Sequence, residues 1–167
     1  MNPSLVGSEM CIRDRHQLRF VKETPEISLI KEAVDVTNRG FRRVLKMIKP
    51  GVKEYEVEAE YAKEFIRRRC KFAYSPIIAS GPNACTLHYL QNDQECKKGQ
   101  MLLMDVGACY ANYNADLTRT VPVSGKFNRR QKQVYNAVLR VLRQCIDNAT
   151  VGKAHKAWQN DSHDMMT

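Results

Sequence analysis

The sequence predicts an α+β domain, and three observations predict it. Apolar residues recur at three- and four-residue steps from Ile27 to Ile48, as on an amphipathic helix. From Phe72 the period shortens, and two β-prone runs follow, MLLMDV at 101–106 and LTRTVPV at 117–123. A helical period returns after Asn128. Helices, then strands, then helices, with no internal repeat, give separate blocks rather than strict alternation.

Residues 1–15, MNPSLVGSEMCIRDR, carry neither period. Their end, SEMCIRDR, resembles translated adapter sequence, so they are read as a non-native leader outside a domain spanning 16–167. Thr24 is placed as the N-cap of the first helix, with Pro25 at its first position. Ile27, Ile30, Val34, Thr37, Phe41, Val44 and Ile48 then share one face, and Lys49-Pro50-Gly51 stops it. A second helix is expected over about 54–70. Glu54, Glu56, Glu58 and Glu60 crowd its start and Arg67 to Lys71 its end, which complements the helix dipole.

Phe72 to Ser80 reads as one short strand ending at the turn Gly81-Pro82-Asn83. Met101 to Val106, bounded by Gly99 and Gly107, reads as a buried strand carrying one acid. Residues 108–114 form a turn rich in Asn and Tyr, and Leu117 to Val123 a further strand with Pro122 near its end. Asn128 caps a long helix on which Val134, Val138, Val141, Leu142, Cys145 and Ile146 share a face. Gly152 ends that helix, and another begins near Lys153.

With 167 residues, 43% apolar and 27% charged, the chain has globular composition, which excludes wholesale disorder. No apolar run approaches the roughly 20 residues of a membrane span. The charge of +9 is spread along the chain, and its densest cluster, Arg67-Arg68-Arg69, already has a role at a helix end. Neither a nucleic-acid nor a membrane partner is expected. The six cysteines are irregularly spaced and include no C-x-x-C pair, which argues against a disulfide scaffold or a structural zinc site. Reduced thiols and the lack of a secretory pattern predict a cytoplasmic protein.

The acids on the strands carry the chemistry. A carboxylate inside an apolar strand, Asp105, costs several kcal/mol unless it is paired, hydrogen-bonded or metal-bound. A hairpin turning at Tyr110-Ala111 sets Asp105 opposite Asp116, with Cβ atoms about 4.5–5.5 Å apart. Two carboxylates that close repel unless a cation joins them or one keeps a proton, and a metal pair removes the conflict. The plainer alternative makes Asp116 a solvated turn residue and Asp105 a hydrogen-bonded structural acid. His88, in CTLHYL, is either a satisfied edge histidine or a functional one brought beside the acids by the preceding turn.

The stretch YSPIIASGPNACTLHY, followed by MLLMDVGACYANYNADLTRTVPVSGKFNRRQKQVYNAVL, resembles the Xaa-Pro aminopeptidase (aminopeptidase P) branch of the pita-bread metallopeptidases. The resemblance runs over residues 17–167 and rests on the His, Asp, Asp spacing and on DLTRT-x-P-V-x-G-K-F. Prolidase and creatinase are nearer relatives than methionine aminopeptidase. It implies the first half of a pita-bread catalytic domain, truncated at its C-terminus. It further implies that Asp105 is the first metal ligand, that Asp116 bridges two metals, that His88 contacts substrate and stabilises the reacting carbonyl, and that Tyr74 lines the substrate pocket. The implied cofactors are two divalent ions, manganese first, with cobalt or zinc compatible with the oxygen-rich ligands.

The implied partner is a peptide with proline at its second position, and the complete enzyme is expected to be a homo-oligomer. The remaining ligands of the resemblance, one His and two Glu, have no counterpart here. His155 and His163 lie in a polar helical stretch, and no Glu follows Glu95. The piece by itself is therefore expected to be inactive. A competing reading is a non-catalytic pita-bread module that binds peptides or proteins, which the retention of Asp105, Asp116 and His88 disfavours.

Overall fold

The computed structural model describes residues 3–165, with side chains from Ile12 onward. The chain divides into two units, Met1–Val123 and Ser124–Thr167.

The first unit opens with α1, Pro3–Phe20. Most of this helix falls in the stretch 1–15, where the sequence shows neither a helical nor a strand period. Residues 12–20 are all exposed, so no apolar face was selected and the sequence shows no period there. Helix α2 spans Thr24–Val44, and its N-cap is Glu23 rather than Thr24. The Glu26 carboxylate accepts from the Glu23 amide at 2.7 Å, closing a capping box. The buried stripe of α2 is Ala33, Val36, Thr37, Gly40 and Val44. It is rotated from the expected face, leaving Val34 51% exposed. Small residues set that choice, since a Cβ on Gly40 would meet Tyr61 Cδ1 at 2.8 Å. Helix α3, Glu54–Arg67, packs Val57, Tyr61 and Phe65 into this seam.

Six short strands follow: β1 Lys71–Phe72, β2 Ile77–Ser80, β3 Met101–Val106, β4 Ala108–Tyr110, β5 Tyr113–Asn114 and β6 Leu117–Pro122. They form two antiparallel sheets, ordered β1-β4-β5 and β2-β3-β6. The single strand expected over 72–80 is therefore two, in different sheets. The break falls at Tyr74-Ser75-Pro76, where Pro76 offers no amide to a ladder. The Gly81-Pro82-Asn83 turn is the start of a 3-10 helix, Gly81–Cys85.

Strand β3 is buried on one face only. Leu102, Met104 and Val106 join Ile78 and the α2–α3 seam in the core, each such side chain contributing about 1.5–3 kcal/mol. Met101, Leu103 and Asp105 lie half-buried on the other face. Thr37 ties α2 to the sheet. Its Oγ1 donates to the Ala33 carbonyl and accepts from the Ala108 amide, both at 2.9 Å.

In the second unit, α4 runs Arg129–Asp147. Asn128 caps it as expected, its side chain accepting from the Gln131 amide at 2.8 Å. The helix stops before Gly152, which lies in the following loop with φ +86°. Helix α5 spans His155–Asp164, and the Trp158 indole donates to the Cys145 carbonyl at 2.8 Å. The apolar face of α4 is open, with Val138 63% and Ile146 64% exposed.

Candidate functional site

The central strand β3 places Asp105 between Ile77 of β2 and Thr118 of β6. Asp105 is thus not opposite Asp116. The hairpin turns at Ala111-Asn112, with φ of +47° and +66°, and pairs Tyr110 with Tyr113. A two-residue turn of this hand needs positive φ at both central positions. Asn tolerates that conformation better than the bulky Tyr110 would, so the turn sits one residue later than expected. The partner of Asp105 moves by two residues, and side chains alternate with period two, so Asp116 keeps its face.

Tyr74, from the β1–β2 connection, joins the two acids. Its hydroxyl lies 2.7 Å from Asp105 Oδ1 and 3.0 Å from Asp116 Oδ1. One phenolic proton serves two carboxylate oxygens. Asp105 is half-buried and Asp116 exposed. Burial of the Tyr74 phenol, then its hydrogen bonds to Asp105 and Asp116, push its pKa far above the usual 10.0. Both effects disfavour a third negative charge here.

Gly107 makes this approach possible. A Cβ there would meet the Ala115 carbonyl carbon at 2.8 Å, overlap its oxygen, and come within 3.1 Å of Tyr74 Cε1. The Gly107 carbonyl also accepts from the Ala73 amide at 2.8 Å, holding the strand that leads to Tyr74. Read only as a strand boundary in the sequence, Gly107 is a close-approach residue. Its place between two β-prone runs is the signal that could have shown this.

His88 stands apart. It is exposed, in the left-handed region at φ +53°, and makes no hydrogen bond to Tyr74, Asp105 or Asp116. Among the described residues, no three His, Cys, Asp or Glu side chains converge as a metal site. The expected trio is therefore reduced here to the aspartate pair.

The loop carrying His88 is anchored from beneath. Glu54 is fully buried, and its carboxylate accepts from the Ser80 amide and hydroxyl (both 2.7 Å), the Tyr89 hydroxyl (2.8 Å) and the Gln94 amide (3.0 Å). Asn92 accepts from the Ile78 amide at 2.9 Å and donates to the Pro76 carbonyl at 3.0 Å. These bonds fasten residues 80–94 to the start of α3 and to β2. Glu54 looked like one of several acids at a helix start, and nothing in its local sequence marks the difference.

Asp105 on β3 and Asp116 just before β6, joined by Tyr74 and backed by two packed helices, form an acidic site on an α+β domain. Residues 28–167 match metallopeptidase family M24, and the chain belongs to that family. It is 36% identical over 141 residues to the Xaa-Pro aminopeptidase of Haemophilus influenzae, covering 84% of this chain and 33% of that protein. It is 38% identical over 128 residues to the Escherichia coli enzyme of the same name, covering 76% and 29%.

Among solved structures, the chain superposes on a protein assigned as aminopeptidase P from Bacillus anthracis. The TM-score is 0.87 and the identity 38%, over 90% of this chain and 36% of that one. For proline aminopeptidase P II from Yersinia pestis the TM-score is again 0.87, with 32% identity over 90% and 35%. The chain thus has the expected partial pita-bread fold and spans about a third of the length of these relatives.

Proposed function

We propose that this chain supplies two aspartate ligands, and part of the substrate pocket, of an Xaa-Pro aminopeptidase. The observation that carries the reading is the reach of one Tyr74 hydroxyl to both Asp105, at 2.7 Å, and Asp116, at 3.0 Å. Two carboxylates gathered on one phenol, with no cationic side chain bonded to either among the described residues, form an acceptor set suited to hard divalent cations.

Asp105 and Asp116 would hold two such ions, manganese in the first instance, with cobalt and zinc as substitutes. When bound, the ions supply Lewis acidity and a hydroxide at neutral pH. Tyr74 keeps the carboxylates together and presents its ring to the peptide. His88, projecting from the anchored 80–94 loop, donates to the oxygen of the scissile carbonyl. The bond cleaved is the one before proline, which frees the N-terminal residue. The complete enzyme works in the cytoplasm as a homo-oligomer. Among the described residues, no helix is long and apolar enough to cross a membrane.

The test is a chimera in which residues 16–165 replace the matching segment of the Escherichia coli enzyme. It should cleave an Xaa-Pro peptide with manganese. Asp116→Ala should abolish both metal retention and cleavage. His88→Ala should keep the metal and lower kcat by about 10²–10³, the usual cost of one oxyanion contact. A folded chimera that binds manganese yet cleaves nothing would overturn the reading.

A further inference from the structure

Helices α2 and α3 pack across Gly40, and one polar stripe from each borders the same cleft, with a volume of about 400 Å³. Arg39, Arg42 and Arg43 line it from α2, at spacings that share one helix face, and Arg67 and Arg68 line it from α3. None of these belongs to the Tyr74, Asp105 and Asp116 group.

The acids here are too few for the cations. Asp35 holds Arg39 at 2.6 Å, Glu60 holds Arg43 at 2.7 Å and Glu64 holds Arg68 at 2.6 Å. Arg67 comes no nearer than 3.6 Å to Glu64 and is 58% exposed. Arg42 has no carboxylate partner among the described residues. The second Glu64 oxygen is buried yet takes no hydrogen bond, so Arg43, at 3.5 Å, and Arg67 meet it by charge alone. Each guanidinium offers five N–H donors, and among the described residues the carboxylates named here take only some of them.

We propose that this cleft binds a phosphate or pyrophosphate group. Three of the arginines are fixed by acids and set its walls. Arg42, which has no carboxylate partner among the described residues, and Arg67, which meets only Glu64 at 3.6 Å, line it from opposite helices. A tetrahedral oxyanion with two or more charges can accept paired bonds from both forks and offset the excess positive charge. A single carboxylate would occupy one fork and bring one charge. The recognition chemistry is the same for the free ion and for the group carried on a small molecule.

The experiment is equilibrium dialysis of labelled pyrophosphate against the full chain at low protein concentration and constant ionic strength, with inorganic phosphate and citrate as parallel probes. Saturable one-site binding of pyrophosphate is expected, with citrate weaker. The double variant Arg42→Gln, Arg67→Gln should weaken it by about tenfold or more, as the loss of charge-assisted bonds requires. Nuclear magnetic resonance of the arginine Nε–H groups in the unmodified chain gives a readout that needs no variant. Pyrophosphate should shift several of these signals saturably. Non-saturable binding, citrate binding as tightly as pyrophosphate, or unshifted Nε–H signals would overturn the proposal, as would an unchanged affinity in the folded double variant.

Discussion

Gly107 and Ala115 approach so closely that a Cβ on Gly107 would lie 2.8 Å from the Ala115 carbonyl carbon. The two residues stand between Asp105 and Asp116 along the chain, so their contact fixes how near those carboxylates come. Gly107→Ala must push the backbones apart, because the obstruction is main chain and has no rotamer to change. The expected loss is about 3 kcal/mol, at the upper end for overpacking. Urea unfolding measures it, and an unchanged midpoint would show that the strands yield without cost.

The Tyr74 phenol predicts a specific alkaline behaviour. Its pKa is raised in the folded chain by burial and by the carboxylates of Asp105 and Asp116. A group raised on folding contributes stability that is fully present below its unfolded value, here 10.0, and is lost as pH climbs above it. Tyr89, pushed up to about 12 by burial and Glu54, adds to the same fall. Unfolding free energy should therefore decline above pH 10.0, and Tyr74→Phe should make the decline shallower. Equal slopes for the two proteins would mean that Tyr74 does not hold its proton through these bonds.

Glu54 predicts a loss of stability with a local signature. Glu54→Ala leaves the donors of Ser80, Tyr89 and Gln94 without their shared acceptor in a buried place. The cost should be about 3 kcal/mol, since each stranded donor carries its own desolvation penalty. Hydrogen exchange should accelerate first over residues 80–94, the loop that carries His88. Uniform acceleration across the sheet would instead mark Glu54 as a general core residue.

The parts of the fold that were legible in the sequence are those written in periodicity or in local caps. The two packed helices, the 101–106 strand and the Asn128 cap follow from side chains within a turn or two of one another. What was not legible depends on contacts distant in sequence. The α2 stripe is rotated because Gly40 meets Tyr61, twenty-one positions on. The strand at 72–80 is split because its halves find different sheets. The hairpin register followed a turn centre that φ preferences at Ala111 and Asn112 displaced by one residue. At the site, spacing singled out Asp105 and Asp116 and the family resemblance pointed to Tyr74, and the Tyr74 hydroxyl lies within hydrogen-bond reach of both acids. Their joining by a single hydroxyl, and the role of Gly107, required the tertiary fold. His88 lies on a loop whose position is set by Glu54 and Asn92 rather than by its own neighbours.

Glu64 predicts the acid limb. Burial works against ionisation of its carboxyl, but the hydrogen bond from Arg68 and the charges of Arg68, Arg67 and Arg43 outweigh it and hold the pKa below the usual 4.5. A group lowered on folding contributes stability above its unfolded value and loses it as pH falls through the folded one. Stability should fall below pH 4.5, and Glu64→Gln should flatten that fall while lowering stability at neutral pH. High salt should blunt the effect only in part, because the Glu64 side chain is 3% exposed. A fall of unchanged steepness in Glu64→Gln would place the acid sensitivity elsewhere.

The last prediction concerns residues 16–165 alone, supplied with manganese. Two carboxylates leave each ion mostly to water, and no third acidic, imidazole or thiol group joins them among the described residues. Affinity should be weak, and cleavage of an Xaa-Pro peptide should not exceed that of buffer with manganese. The same piece should self-associate as its concentration rises. Among the described residues, strand β6 pairs only with β3, so its second edge is open to pairing with another strand. On α4, Val134, Val138, Leu142 and Ile146 form an exposed apolar row at helical spacing. The two features act differently: a lysine placed on the α4 row, Val138→Lys, should reduce association at low and high salt alike, since the driving contact is apolar. Size-exclusion chromatography across a concentration series, run beside the peptide assay, reads both outcomes. A monomer at every concentration that cleaves the peptide above the manganese blank would show that this piece carries a working centre of its own.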